Sequence, residues 1–307
     1  MSDLRAALVD YLALRRSLGY KLERAGRLLT EFVAYSEAHD AERVTVELAV
    51  SWAIRTANPH SSWRAQRLGV VRCFARYLQA HDPNTEVPPQ GVIPRGPGRP
   101  TPMLYSQADI TALMVAAGEF HCPLRAATLE TLIGLLAVTG LRVAEVIHLD
   151  RADVDFTHGL LTVSDSKFGK SRLVPLHTST ATALQAYARR RDRCFPHPGT
   201  TGFFISTTGT RLRTGNLRAA FAELADHAGL RPRPGRRPCL GGFRHSMAVT
   251  TLLRWYADGE DVQARLPLLS TYLGHVNPRS TYWYLSAAPE LLAAAAKRVE
   301  NTWEEFT

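Results

Sequence analysis

Lysine is nearly missing from this chain: four of 307 residues, Lys21, Lys167, Lys170 and Lys297, although lysine and arginine together number 37 against 28 acidic residues. Almost all the positive charge is therefore arginine, whose planar fork of donors pairs with two oxygens at once where an ammonium acts as a point charge. Cysteine is also scarce. Cys73, Cys122, Cys194 and Cys239 stand far apart, with no Cys-x-x-Cys pair and no cluster with histidine at metal-ligand spacing, so no structural zinc is expected. No apolar run is long enough to span a bilayer, and Met1 to Tyr20 is charged and helical in pattern, without the apolar centre of a signal peptide. A cytoplasmic protein with reduced thiols and no membrane partner is expected. Internal repeats and low-complexity tracts are absent from the sequence.

What is present begins with 45% hydrophobic residues, enough at this length for two domains with buried cores. A formal charge of +9 predicts a surface that attracts polyanions, with an affinity that falls as salt rises and counterions are no longer released at a profit in entropy.

Residues 3 to 81 read as four helices. Leu4, Leu8, Tyr11 and Leu12 recur at helical spacing, then Leu28, Leu29, Phe32 and Val33, then Val46 to Ile54 behind a Thr45 cap, then Val70, Val71, Phe74, Tyr77 and Leu78. The last helix also carries Arg64, Arg67, Arg72 and Arg76, which are either a solvated basic face or phosphate contacts. Seven prolines and three glycines between Asp82 and Pro102 cannot continue a helix and suit an extended linker. Ser106-x-x-Asp109 resembles a capping box that opens a second helical series, with Ala126 to Val138 next. Leu160 to Val163 and Arg172 to Leu176 read as a β-hairpin with Lys167 near its tip. Helices are expected again at Ala181–Arg191, at Asn216–His227 with Gly229 as its stop, at Met247–Tyr256 and at Pro289–Val299.

Several segments carry chemistry. In Thr139-Gly140-Leu141-Arg142-Val143-Ala144-Glu145, Arg142 stands three residues before Glu145, close enough on a helix for the carboxylate to orient the guanidinium. Taken alone, that pair could equally be an exposed helix ion pair worth about 0.3–0.5 kcal/mol. Gly242-Phe243-Arg244-His245 supplies a second arginine, and Leu273-Gly274-His275 is followed nine residues past its histidine by Tyr284, with Tyr282 as a second phenol nearby. Two guanidiniums can hold both non-bridging oxygens of a phosphodiester while a phenol supplies the attacking oxygen. This is equipment for phosphoryl transfer on DNA without a metal or any other cofactor.

The order and spacing of these boxes resemble the tyrosine recombinase (phage-integrase) family, whose signature is an Arg-x-x-Glu box, a hairpin lysine, a His-x-x-Arg box, a Leu-Gly-His box and a tyrosine nine residues further on. The likeness runs from about Pro102 to the end, and Leu268 to Leu292 further resembles recombinases encoded side by side in threes within bacterial mobile elements. It implies an N-terminal helical core-binding (DNA-clamp) domain over 1–82, a Pro/Gly-rich linker over 83–102 and a catalytic domain over 103–307. The implied fold is mainly α with a small β-hairpin or sheet, the catalytic domain being α+β.

The resemblance also implies roles. Arg142 and Arg244 would be phosphate clamps and Tyr284 the nucleophile, His275 a donor to the phosphate or a positioner of the tyrosine, and Glu145 and His245 supports. Lys167, aligned by the Arg172-Leu173-Val174-Pro175-Leu176 anchor, would protonate the departing 5′ oxygen, with Lys170 as the competing turn lysine. Arg64, Arg67, Arg72, Arg76, Lys170 and Arg172 would meet the DNA backbone. The implied activity is site-specific recombination of double-stranded DNA through a 3′-phosphotyrosyl bond, without ATP or metal. The implied working unit is a homo- or hetero-tetramer on two sites, open to partner recombinases, at the bacterial nucleoid. The helix Pro289–Val299 would dock on a neighbouring subunit, docking on its own domain being the alternative. One position departs from the pattern: Gly241 stands where the family usually has histidine. Loss of one general base slows a reaction by roughly 10²–10⁴-fold. A DNA-binding accessory homologue with little cleavage of its own is thus the second reading, and a topoisomerase-like relaxing enzyme the third.

Overall fold

The computed structural model describes residues 3–58, 60–94, 96, 103–164, 171–232, 237–275, 277, 279–287, 291–293 and 296. Lys167 and Lys170 lie outside the described residues, as does most of 289–299. The chain divides into two compact units, Met1–Arg99 and Pro100–Thr307.

The first unit contains α1 (Asp3–Ser17), α2 (Glu23–Glu37), α3 (Val46–Ile54) and α4 (Ser61–Gln79). The Thr45 hydroxyl accepts from the Leu48 amide and so starts α3 where expected. Leu28, Leu29, Phe32 and Val33 make one buried face of α2, which meets Trp52 of α3 and Leu68, Val71 and Phe74 of α4. Two of the four α4 arginines expected on DNA do not face outward. Arg67 is 7% exposed, lies over the Trp52 ring at 3.7 Å, donates to the Trp52 carbonyl and pairs with Glu31. Arg72 donates to the carbonyls of Pro88 and Pro89. Arg67 is buried and Arg72 half-buried, and in both cases the head finds acceptors inside the unit, an arrangement helical periodicity alone does not reveal. Arg76 is exposed and Arg64 half-buried.

The first half of the proline-rich stretch is not a free tether. The Glu86 amide donates to the Val44 carbonyl, its carboxylate accepts from the Val46 amide, and Val87 and Ile93 pack against the first core.

The second unit runs α5 (Gln107–Gly118), α6 (Pro123–Thr139), α7 (Val143–His148), β1 (Val154–Asp155), β2 (Leu160–Val163), β3 (Arg172–Pro175), α8 (Thr178–Cys194), α9 (Thr214–His227), α10 (Gly241–Ala257), α11 (Val262–Tyr272) and α12 (Arg279–Ala287). The Ser106/Asp109 capping box is made in full. The strands form one antiparallel sheet in the order β1-β2-β3, with Leu161 opposite Val174 and Val163 opposite Arg172. The hairpin therefore gains a third strand, too short at two residues to show any alternation. The fold is mainly α with a small sheet.

One core joins α5 to α9 and the sheet through Leu132, Ile133, Leu136, Leu161, Phe203 and Phe221. A second, built from Leu252, Leu266, Leu269, Leu273, Tyr284 and Leu291, binds α10, α11 and α12 together. Helix α11 is missing from the sequence-based expectation because Pro267 sits inside it, where a proline removes one backbone donor. Its start is secured by the Asp261 carboxylate, which accepts from the Gln263 and Ala264 amides. Among the described residues no helix is long and apolar enough to cross a membrane.

Candidate active site

Helix α6 ends at Gly140, and Arg142 follows as the N-cap of α7 rather than as a residue within it. From the third helical position, Glu145 reaches back: one carboxylate oxygen accepts from the Arg142 amide at 2.9 Å and the other from Arg142 Nη1 at 2.6 Å. The same carboxylate caps the helix and fixes the guanidinium. With its side chain 5% exposed, Glu145 is no surface ion-pair partner. Arg172, the first residue of β3, adds two more donors to it, at 3.1 and 2.9 Å. Burial by itself would push the Glu145 pKa up, but the hydrogen bonds from Arg172 and Arg142 outweigh it and hold the carboxyl below its ordinary value.

Arg142 and Arg172 are joined by Arg244 at the end of α11. Three successive carbonyls there each accept from a different one: Tyr272 from Arg172 Nε at 2.9 Å, Leu273 from Arg244 Nη2 at 2.5 Å, and Gly274 from Arg142 Nη2 at 2.9 Å. Arg244 Nη1 also donates to the Gly140 carbonyl at the end of α6, at 2.8 Å. The last carbonyls of a helix lack intrahelical donors and form the negative end of its dipole, so guanidiniums are suited partners. Gly274 is required on two counts. Its φ of 65° is left-handed, and a Cβ would come within 2.9 Å of Arg172 Nη1. Arg244 is buried, and burial, reinforced by repulsion from Arg142, lowers its pKa to about 10 against the favourable influence of Tyr284 and Glu145; at neutral pH it remains charged.

Helix α12 brings Tyr284 to this turn. Its ring is 2% exposed, stacks on His275 with centroids 5.9 Å apart, and meets the edge of His245 at 5.3 Å. His245 also faces Trp283, and His275 Nδ1 lies 2.7 Å from the Thr281 hydroxyl. Tyr282, two residues before Tyr284, is 54% exposed, as expected for positions about 200° apart around a helix.

Gly241 and Gly242 open α10 with opposite constraints. A Cβ at Gly241 would meet only Cys239 Sγ at 3.9 Å, and its φ is outside the left-handed region. At Gly242 it would strike the Tyr105 ring at 2.5 Å and the Met103 carbonyl at 2.8 Å. Tyr105 itself pins this start, its hydroxyl accepting from the Cys239 amide and donating to the Cys239 carbonyl.

Of the residues expected at the site, Arg142, Arg244, His275, Tyr284, Glu145 and His245 are thus brought together. Arg172, expected on DNA, is turned inward onto Glu145 and Tyr272. In the strand Arg172 shares its face with Val174, which is buried, whereas Leu173 between them is 60% exposed; each face carries an apolar residue, so alternation alone does not say which one turns inward. The carbonyl acceptors and Thr281 carried no signal in the sequence either.

Residues 105–290 match the phage integrase family. A Sinorhizobium fredii (strain NBRC 101917 / NGR234) protein named as an integrase/recombinase, y4rB, is 45% identical over 314 residues, covering 100% of each chain. Tyrosine recombinase XerD of Mycobacterium leprae (strain TN) is 29% identical over 95% of this chain and 96% of its own. In fold, the integrase of the Tn1549 transposon, solved in complex with transposon right end DNA, superposes with a TM-score of 0.69 over 98% of this chain and 100% of that one, at 14% identity. With the family match spanning well over half of the sequence and a 45% identical relative aligned from end to end, the chain belongs to the phage integrase family.

Proposed function

We propose that this protein is a site-specific DNA recombinase that cuts and rejoins double-stranded DNA through a 3′-phosphotyrosyl intermediate, in the service of a mobile genetic element. The observation that carries this is the convergence of Arg142, Arg244, His275 and Tyr284 on one turn, the end of α11. Two guanidiniums beside a phenol supply charge stabilisation and a nucleophile for attack on phosphorus. The Tyr284 oxygen–phosphorus bond forms as the bond to the 5′ oxygen breaks. The phenol gives up its proton to solvent water, no side chain standing at Gly241 to take it, and Lys167 is assigned to protonate the leaving 5′ oxygen. The freed 5′ hydroxyl of one duplex then attacks the phosphotyrosyl bond of its partner and releases the tyrosine. One phosphoester replaces another at each step, so no ATP is needed.

Because Tyr284 is 2% exposed, attack on DNA requires α12 to shift so that the phenol meets the phosphate. Residues 1–82 act as the DNA-clamp domain and 103–307 as the catalytic domain, with Arg64, Arg76 and Lys170 meeting backbone phosphates. The working assembly is a tetramer of like or different recombinases on two sites, at the nucleoid in a bacterial cytoplasm. A DNA-binding accessory role is the second reading, and the missing side chain at Gly241 is what favours it.

A nicked duplex carrying the end of the host element separates the two. A recombinase becomes covalently trapped through its tyrosine when the short strand beyond the scissile phosphate diffuses away. An accessory homologue binds the same duplex and leaves no adduct on a denaturing gel.

A further inference from the structure

We propose that Arg172 is a positioning residue for the clamp arginine Arg142, tying the return strand of the β2–β3 hairpin to the phosphate site through Glu145. The inference rests on the recombinase reading and deepens it. Each of the three Arg172 nitrogens donates inward: Nε to the Tyr272 carbonyl, Nη1 and Nη2 to the two Glu145 oxygens. Its side chain is 13% exposed, at the edge of the site rather than on an open surface. Glu145 in turn accepts four hydrogen bonds, two from Arg172 and two from Arg142. A buried carboxylate with two oxygens has about four acceptor positions, so the set is complete and its geometry is defined from both sides.

The consequence lies at Arg142. Its guanidinium is located by Glu145 on one side and by the Gly274 carbonyl on the other. Arg172 orients both supports, directly at Glu145 and, through the neighbouring Tyr272 carbonyl, at the turn that carries Gly274. Without Arg172, Glu145 keeps only Arg142 as partner and can draw the guanidinium out of line, while the turn loses one of its three arginine braces. A misplaced catalytic group weakens transition-state stabilisation far more than binding of the ground state. Lysine cannot replace it, because one ammonium cannot reach the Tyr272 carbonyl and straddle a carboxylate in the same plane.

The test uses the full chain on a duplex carrying the host-element end, with a bridging sulfur in place of the 5′ oxygen at the scissile phosphate so that slow cleavage accumulates irreversibly. Arg172→Met and Arg172→Lys are each compared in the wild-type and Arg142→Ala backgrounds, for DNA affinity against salt and for single-turnover adduct formation at saturating protein. Both variants are expected to lower the cleavage rate by about 10-fold or more, with the salt dependence of binding unchanged. In the Arg142→Ala background neither is expected to change the rate by more than about 2-fold, because the residue through which Arg172 acts is already gone.

A salt slope reduced by about 0.9, with normal cleavage at saturation, would instead make Arg172 a phosphate contact and overturn the proposal. Equal rate losses in both backgrounds would make it a general structural residue and overturn it too. If Arg172→Met fails to fold, as thermal unfolding would show, Arg172→Lys decides alone. Absence of any adduct from the wild-type protein, with DNA binding intact, would remove the recombinase reading itself and this inference with it. An adduct from wild type at a rate Arg172 does not affect would remove the inference alone.

Discussion

Two phenols two residues apart compete for the nucleophile's role, and their surroundings separate them. Tyr284 packs among Arg244, His245 and His275, whereas Tyr282 faces solvent. Tyr284→Phe is therefore expected to abolish the covalent DNA adduct while leaving affinity within about 2-fold, and Tyr282→Phe to keep both. An adduct that survives the first substitution and disappears with the second would move the nucleophile. Gly241 is the other residue that bears on the proposed chemistry. Its backbone is not left-handed, a Cβ there would meet only Cys239, and the position is exposed, so the backbone admits a side chain. Gly241→His is expected to raise single-turnover cleavage by about 10-fold or more, within the range a general base contributes. An unchanged rate in a folded variant would mean that His245, one helical turn away and already against Tyr284, serves in its place.

At the scale of elements, α7 depends on a buried carboxylate. The Glu145 pKa is depressed in the fold, so its contribution to stability is present above the unfolded value near 4.3 and is lost as pH falls through the lower folded value. Glu145→Gln is expected to cost on the order of 3 kcal/mol at pH 7, since Arg172 and Arg142 then lack their anion. The gap in Tm between the two proteins should close below about pH 4; a gap of constant size down to acid would show that the charge is not what matters. Caps and alternation were legible in this part of the sequence. Ser106/Asp109 and Thr45 start helices where their chemistry says, and Leu160 to Val163 pairs with the strand beginning at Arg172. What misled was helix-breaking chemistry. Pro267 hides α11, and the glycine pair at 241 and 242 obscures the start of α10, expected at Met247 but found at Gly241; residue 242 is glycine because Tyr105 occupies the space a side chain would need there.

For the whole molecule, the open question is what the C-terminal segment holds together. Leu291 is buried in the same core cluster as Leu252, Leu266 and Tyr284, so the segment begins by docking on its own unit. Deleting residues 294–307 leaves that contact in place. The truncated protein is expected to bind a single site within about 2-fold of the full chain, yet to assemble on paired sites at least about 10-fold less well, as linked protomers lose the coupling that multivalency supplies. Gel-shift titrations on one-site and two-site duplexes measure both. Normal paired-site assembly would place the oligomer contacts elsewhere.

Spacing along the chain by itself pointed to the proposed chemistry: Arg142 three residues before Glu145, Tyr284 nine after His275, and a charge supplied almost wholly by arginine. These are local relations, which a linear pattern can carry. Which arginines are tied into the protein's own acceptors was decided only by the fold. Arg67, Arg72 and Arg172 look like DNA contacts until Trp52, Pro88 and Tyr272 bring them carbonyl acceptors from 15, 16 and 100 residues away. A guanidinium pairs as readily with a helix-end carbonyl or a buried carboxylate as with a phosphate, and only tertiary packing determines which of these comes within its reach.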